Sequence, residues 1–277
     1  MFQKISVVMS RVNSIALWLL FWGTVFFSLY NGYKYMYPIE IQRIPYVARI
    51  DIYGEIVAGI TDHLKVKIDE AYNDPNAKAV IFHIDSSGGV PAEAWRLCEY
   101  ISGKKIADLE KNEKERRHTF ATIGVSGTSA AFYIGACIGN VYAAPGSNVG
   151  SVGSVIYFNE EDQKTIKHIA SGSGKVFNPN DKEGRKLAEE LVTETAKDFL
   201  VDILAFRDGK LKVSVDEIAT GRMWTGKRAA ELGLIDGLST PEAISRNLKI
   251  PLLYPGIVEP TNWDKAKDVL SVLKQQK

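Results

Sequence analysis

Two short stretches hold residue types whose spacing could do acyl chemistry. GVSGTSAAFYIGAC, Gly124 to Cys137, sets Ser126 and Ser129 among glycines and alanines, and HIDSSGGV, His83 to Val90, puts Gly88 and Gly89 behind an apolar run. Each reads as a strand that ends in a small-residue turn and opens a helix. In open α/β sheets, sites gather at such strand ends. Paired glycines let the backbone approach a ligand closely and aim N–H groups at it. A serine at a helix start lies where unpaired N–H groups favour negative charge. Ser129 is therefore the candidate nucleophile, facing an oxyanion hole of two backbone N–H groups. Ser126, earlier in the turn, is expected to cap the helix. Neither serine fits GxSxG, which disfavours an α/β-hydrolase elbow. A serine nucleophile needs a base. His83 and Asp85, two apart on one strand, point the same way and leave little room for a relay to a serine on another turn. The remaining base type is lysine.

The elements that must position these groups alternate along the chain. VARIDIYG reads as a strand ending at a glycine turn, and Ile60 to Tyr72 has helical spacing. AKAVIFHID is a second strand, followed by SSGG and a helix from Ala92. FATIGVSG and the helix from Ser129 repeat the unit, and NVYAAPGS and VGSVIYF add short strands. The pattern predicts an α/β layered domain of strand-turn-helix units with mostly parallel strands. The charged run Lys104 to Arg117 reads as a solvated helix end and loop. From Lys182 to Phe206, Leu187, Leu191, Phe199 and Ile203 flank a row of Ala188, Val192, Ala196, Leu200 and Leu204, which predicts one long helix with a wide buried stripe. Asn262 to Lys274 fits a short amphipathic helix. The expected organisation is a tail and anchor over 1–37, a linker over 38–46, the main domain over 47–249 and an extension over 250–277.

Composition narrows the partners. A formal net charge of +1 over 277 residues gives no basic field for nucleic acid. Cys98 and Cys137, far apart in sequence and both in apolar stretches, read as buried free thiols. His63, His83, His118 and His168 show no metal-ligand spacing, and no metal or cofactor is expected. No charge lies between Arg11 and Lys34, and Ile15 to Tyr30 is almost wholly apolar, with Trp18 and Trp22 inside it. With its uncharged flanks this stretch meets the roughly 20 residues a bilayer span needs. Tyr30, Tyr33, Tyr35 and Tyr37 then form an interfacial aromatic belt. No small-residue cleavage site follows, so the segment is expected to stay as a single-pass transmembrane helix. Lys4 and Arg11 before it balance Lys34 and Arg43 after it, so charge leaves sidedness open.

IDSSGGV, SGTSAAFYIGACIGNVYAAPGSNVGSVGSV, SGSGKVFNPN and ATGRMWTGKRAAELGLIDGL together resemble the signal peptide peptidase A family, the Ser-Lys branch of the ClpP/crotonase-like fold. The resemblance runs from about Val47 to Ser245. It implies Ser129 as nucleophile, Lys175 as general base, Ser151 as the residue that holds the lysine, and the N–H groups of Gly89, with Gly88, and Ala130 as the oxyanion hole. Ser87 stands where the family has proline, and Ala130 and Ala131 stand where it has glycines. The segment from Ser154 to Lys175 is short for the family, which keeps Lys164 and Lys167 as rivals for the base. His168 lies well beyond the place of the ClpP histidine. A free lysine titrates near 10.4, so a base working near pH 7 needs about 4 to 5 kcal/mol of preference for the neutral amine. Burial can supply that. Val176 and Phe177 suit such a site.

What the resemblance implies is a homo-oligomer with active sites shared between protomers. It would be an endopeptidase anchored in the inner membrane, its catalytic domain outside the cytoplasm. Its substrates would be extended peptides such as remnant signal peptides, with small or apolar side chains near the cut. A crotonase-like acyl-CoA enzyme and a catalytically inactive membrane scaffold are the alternatives.

Overall fold

The computed structural model describes residues 18–29, 44–157 and 181–254. The chain divides into two compact units, Met1–Ile44 and Pro45–Lys277. In the first, residues 18–29 form helix α1, with Trp18, Leu19, Leu20, Phe21, Phe26 and Phe27 all exposed. Among the described residues no helix is long and apolar enough to cross a membrane. The expected span, Ile15 to Tyr30 with its tyrosine belt, runs past the described residues at both ends. The linker from Pro38 and the helix from Asn262 to Lys274 also lie outside them, apart from residues 44–46.

In the second unit, β1 (Tyr46–Tyr53), β2 (Ala77–Ser86) and β3 (His118–Thr128) pair in parallel, joined by α2 (Ala58–Asn73) and α3 (Pro91–Leu109). The strands are near-continuous apolar runs because both faces are covered: Ala79, Val80, Ile81 and Phe82 are all buried. One face forms the main core with α2, α3 and α4 (Ala130–Ile138). The other buries Val47, Ala79 and Ile81 under Ile244 of α8 (Pro241–Leu248). After α4 come β4 (Val141–Ala143) and β5 (Asn148–Gly150). Then follow α5 (Lys182–Phe206), α6 (Val215–Ile218), β6 (Met223–Thr225), α7 (Gly226–Glu231), β7 (Gly237–Leu238), and, after α8, β8 (Leu252–Leu253). The sheet order is β6-β5-β3-β2-β1-β8, with β4 pairing β3 and β7. Every pairing is parallel except β5 with β6. The mixed, mostly parallel α/β architecture is the one expected from sequence.

Strand β3 is long enough to serve two neighbours. Ala121 to Ile123 pair with β4, and Ser126 to Thr128 pair with β5. Buried Ser147, in the break between those two strands, donates to the carbonyls of Ile123 and Gly124 and seals the step. This fork delivers β5 to the end of β3, where the candidate nucleophile stands. The strand expected in VGSVIYF is instead Asn148–Gly150; residues 151–157 carry no regular structure.

Three other expectations change. The charged run Lys104–Arg117 is not wholly solvated, because Asp108 and Arg117 form an ion pair at 2.7 Å with both side chains only 5% exposed. Arg117 also donates to the carbonyls of Ala77 and Asp74, so it closes the bottom of the sheet. Helix α5 exists over the expected residues, but its stripe is mostly half-buried. Only Gly184, Ala188 and Ile203 are fully buried, and Leu191 is 46% exposed. The C-terminal half does the packing, through Phe199, Leu200 and Phe206 against the core. Arg207, fully buried at its end, donates to the Gly233 carbonyl and to Asp236 at 2.9 Å.

Finally, Cys98 and Cys137 are not free thiols. Packing of α3 on α4 brings their Cα atoms to 6.0 Å and they form a disulfide. Their distance along the chain hid a short distance in space. The bond ties α3, which follows the glycine turn, to α4, which follows Ser129. Closing a loop of this length should stabilise the fold by about 2 to 4 kcal/mol. Replacing both cysteines by serine is therefore expected to lower the denaturant midpoint by that equivalent; an unchanged midpoint would contradict the bridge.

Candidate active site

At the end of β3 the chain turns into α4 through Ser129, whose backbone sits at φ 54°, ψ −129°. A residue with a Cβ avoids this region, at a cost of about 1 to 3 kcal/mol, and persists there only when its surroundings impose it. Here they do. The Ser129 N–H donates to the Gly150 carbonyl at 2.8 Å, and its own carbonyl accepts from Tyr133 N at 3.0 Å as the first bond of the helix. Gly127 and Thr128 are paired to β5. Ser129 is thus the N-cap residue by position, yet its side chain makes no capping bond. Among the described residues the half-buried Ser129 hydroxyl has no hydrogen-bond partner, while Ala130 supplies a first-turn N–H with no carbonyl four residues back to receive it. Ser126 does not cap the helix as expected. It lies inside β3, where its N–H donates to Asp85 at 3.0 Å and its hydroxyl meets Thr128 at 3.3 Å.

The glycine turn after β2 lies against this serine. Gly88 and Gly89 have φ of 119° and 154°. A Cβ at Gly88 would stand 2.9 Å from Ser129 Cβ and 3.2 Å from its Oγ, and one at Gly89 would stand 2.3 Å from the Ile56 carbonyl oxygen. Neither position tolerates a side chain. Ile56 holds the turn from outside, donating to the Gly88 carbonyl and accepting from Val90 N, both at 2.9 Å. In such a parallel bridge the central residue's own polar groups face the other way, so the Gly89 N–H turns away from Ile56. The Gly88 N–H is taken by the Ser86 hydroxyl at 3.1 Å. The Ser87 carbonyl accepts from the Thr128 hydroxyl at 3.1 Å. These two bonds restrain the loop where the family carries a proline.

Ser151 follows β5 directly and also has positive φ, 56°, with its N–H donating to the Arg222 carbonyl at 2.8 Å. Gly150 before it packs on the buried Trp224 ring while its carbonyl receives Ser129. Among the described residues the non-glycine positive-φ positions are Ser129, Ser151 and the helix-ending Lys249. Two of the three therefore meet at one corner. Lys175 and its rivals Lys164 and Lys167 lie outside the described residues, as does His168.

His83 and Asp85 are committed elsewhere. His83 Nδ1 bonds the Thr122 hydroxyl at 3.0 Å, and Asp85 receives Ser126 N. Burial, reinforced by the Arg49 charge, holds the His83 imidazole below its ordinary range. Beside Ser129 and Ala130 opens a cavity of about 220 Å³, walled by Trp95 of α3, Tyr133 of α4 and Phe199 of α5. The Tyr133 hydroxyl donates to Asp202 at 2.7 Å. Burial first, and then the Asp202 carboxylate, push it far above the usual phenol range, so it stays a donor. Of the alanines that replace family glycines, Ala130 borders this cavity and Ala131 is buried in the core.

The sequence pattern of peptidase family S49 matches residues 111–251, half of the chain and all of the segment from β3 through α8. The chain belongs to peptidase family S49. It is a serine peptidase, and the acyl-CoA alternative falls away. A Synechocystis sp. protein with a provisional protease name is 26% identical over 217 residues, covering 75% of this chain and 74% of that one. An Enterococcus faecium protein provisionally named signal peptide peptidase SppA is 25% identical over 193 residues. That alignment covers 66% of this chain, which spans only 54% of the Enterococcus protein. Two structures of 1510-N, described as a membrane-bound stomatin-specific protease, share the fold. One gives a TM-score of 0.52 at 16% identity over 76% of this chain and 98% of that one. The other gives 0.50 at 17% over 73% and 80%.

Several residues that shape the site carried no signal beforehand. Ile56 and Ser86 act through the backbone or a single hydroxyl. Thr128, next to the nucleophile candidate, looked like any strand threonine. The glycine pair and Ser129 were visible because small residues at two strand ends are rare in an apolar core. Gly88→Ala should therefore displace either the loop or Ser129. We expect kcat to fall about 10²-fold, the scale of one lost oxyanion donor, with a smaller change in KM. Unaltered kcat for a folded Gly88→Ala protein would rule out this packing.

Proposed function

We propose that this S49 peptidase is a membrane-anchored endopeptidase in which Ser129 attacks and Lys175 is the base. The observation that carries the reading is the strained, uncapped Ser129 at the β3–α4 turn. A structural serine would gain by capping the helix, and a scaffold would have no use for the strain. Neutral Lys175 takes the Ser129 proton as Oγ attacks the peptide carbonyl. The Gly89 and Ala130 N–H groups hold the oxyanion. Lys175 then protonates the leaving amine, and a water activated by the same lysine releases the acyl group. Ser151, one residue beyond the carbonyl that fixes Ser129, orients the lysine. The family match spans Ser129, Ser151 and Lys175 alike. The 1510-N structures are of a serine-to-alanine mutant and of a lysine-to-alanine mutant with a substrate peptide bound, the same two residue types.

The anchor is the apolar stretch around α1, whose exposed Trp18, Phe21, Phe26 and Phe27 suit lipid rather than water. The Cys98–Cys137 disulfide supports a catalytic domain outside the cytoplasm, since such bonds persist in oxidising compartments. The substrates are extended peptides, remnant signal peptides among them, and the working form is a homo-oligomer that shares its active sites.

A fluorophosphonate probe tests the reading on the detergent-solubilised full chain. Label should enter Ser129, vanish in Ser129→Ala and slow by about 10² or more in Lys175→Ala, the usual worth of a positioned base. Because only the unprotonated amine accepts a proton, the labelling rate should rise with pH through the Lys175 titration. Label should also appear in oligomeric fractions and not in monomer. Equal labelling of wild type and Ser129→Ala would overturn the assignment.

A further inference from the structure

We propose that the cavity beside Ser129 is the subsite for a basic side chain, lysine or arginine, on the residue that supplies the attacked carbonyl, and that Asp198 and Asp202 select it. The proposal rests on the peptidase reading and replaces, at that one substrate position, the expectation of a small or apolar residue. Ser129 and Ala130 form part of the wall, so whatever enters is attached close to the reacting carbonyl. The volume of about 220 Å³ exceeds the roughly 150 Å³ of an apolar cavity that takes up benzene, enough for a long side chain.

The walls match such a side chain from stem to tip. Thr195, Asp198, Phe199 and Asp202 line the cavity from α5. Their spacing of three, four and seven puts them on one helix face. Phe199 meets Tyr133 edge-on at 5.6 Å, and Trp95, 54% exposed, presents its indole from α3. These rings suit a methylene stem and attract a cation. Both carboxylates belong to the same lining, with no lysine, arginine or histidine beside them among the described lining residues. Asp202 is fixed by the Tyr133 hydroxyl at 2.7 Å. A carboxylate offers about four lone-pair sites, so it keeps capacity for a second donor. Asp198, exposed one turn earlier, makes no hydrogen bond or ion pair among the described residues. An acidic guest would meet two like charges. An uncharged one would crowd water from the carboxylates and return nothing. A terminal ammonium or guanidinium satisfies them. Secretory signal peptides carry cationic n-regions, so a site of this charge fits the substrates proposed above.

The test uses peptidyl diphenyl phosphonates that differ only in the side chain next to phosphorus: lysine, norleucine or glutamate. The readout is the second-order rate of Ser129 phosphonylation in the full chain. Lysine should react at least tenfold faster than norleucine, and glutamate slowest of the three. In Asp198→Asn/Asp202→Asn the lysine-to-norleucine ratio should drop at least tenfold. Should the double variant fail to fold, Asp198→Asn alone decides, because it leaves the Tyr133–Asp202 bond in place; there the ratio should drop at least threefold. A protein that takes the fluorophosphonate but prefers norleucine, or keeps its lysine preference without the carboxylates, overturns the subsite and leaves the peptidase reading standing. A protein that reacts with no phosphorus probe at all overturns both.

Discussion

The site depends on one hydrogen bond, from the Ser129 N–H to the Gly150 carbonyl. It holds a residue with a side chain in a backbone region normally left to glycine, and so stops β3 abruptly at the place where α4 starts. The consequence is geometric. A serine in ordinary helical entry would fold its hydroxyl back onto the second or third N–H of the helix. In this conformation the hydroxyl makes no bond to the helix and so leaves the first-turn N–H groups untaken by the cap. The fork in the sheet makes the bond possible, because β3 outlasts β4 and must take β5 as a second neighbour.

Around that turn the fold builds a frame from interactions of quite different kinds. The glycine loop is sewn to the Ile56 backbone on one side and to Thr128 on the other. The disulfide fixes α3 to α4. Buried Arg207 ties the end of α5 to Gly233 and Asp236, and Asp236 in turn receives the Val141 N–H at the start of β4. The Asp236 carboxyl is held below its usual range by the hydrogen bonds from Arg207, Lys210 and Val141, which outweigh its burial. The three helices that wall the cavity are therefore each anchored at a point away from it. The cavity draws its shape from these outside anchors and, within its own lining, from the Tyr133–Asp202 bond.

Much of this was legible from residues alone. Both-face burial made β2 a nearly continuous apolar run that reads as a buried strand, and small-residue turns, one of them with the Gly88–Gly89 pair, marked the strand ends. What escaped were features decided by distance in space. Cys98 and Cys137 looked unrelated until α3 packed on α4. Ser126 read as the helix cap until the pairing with β5 extended β3 past it. The long helix reads as one wide buried stripe, yet only its second half packs into the core, and Asp198 and Asp202, which carried no signal in the sequence, line the cavity. Local periodicity reports which side of a helix is apolar. It does not report where along the helix the neighbour stops.

The most direct measurement is a crystal structure of the full chain with Ser129 phosphonylated. The account predicts the phosphoryl oxygen about 3 Å from both the Gly89 and Ala130 nitrogens, with a Lys175 amine within hydrogen-bond reach of Ser129 Oγ, from the same protomer or a neighbour. A phosphoryl oxygen turned to solvent, or every Lys175 amine remote from Ser129, would contradict it.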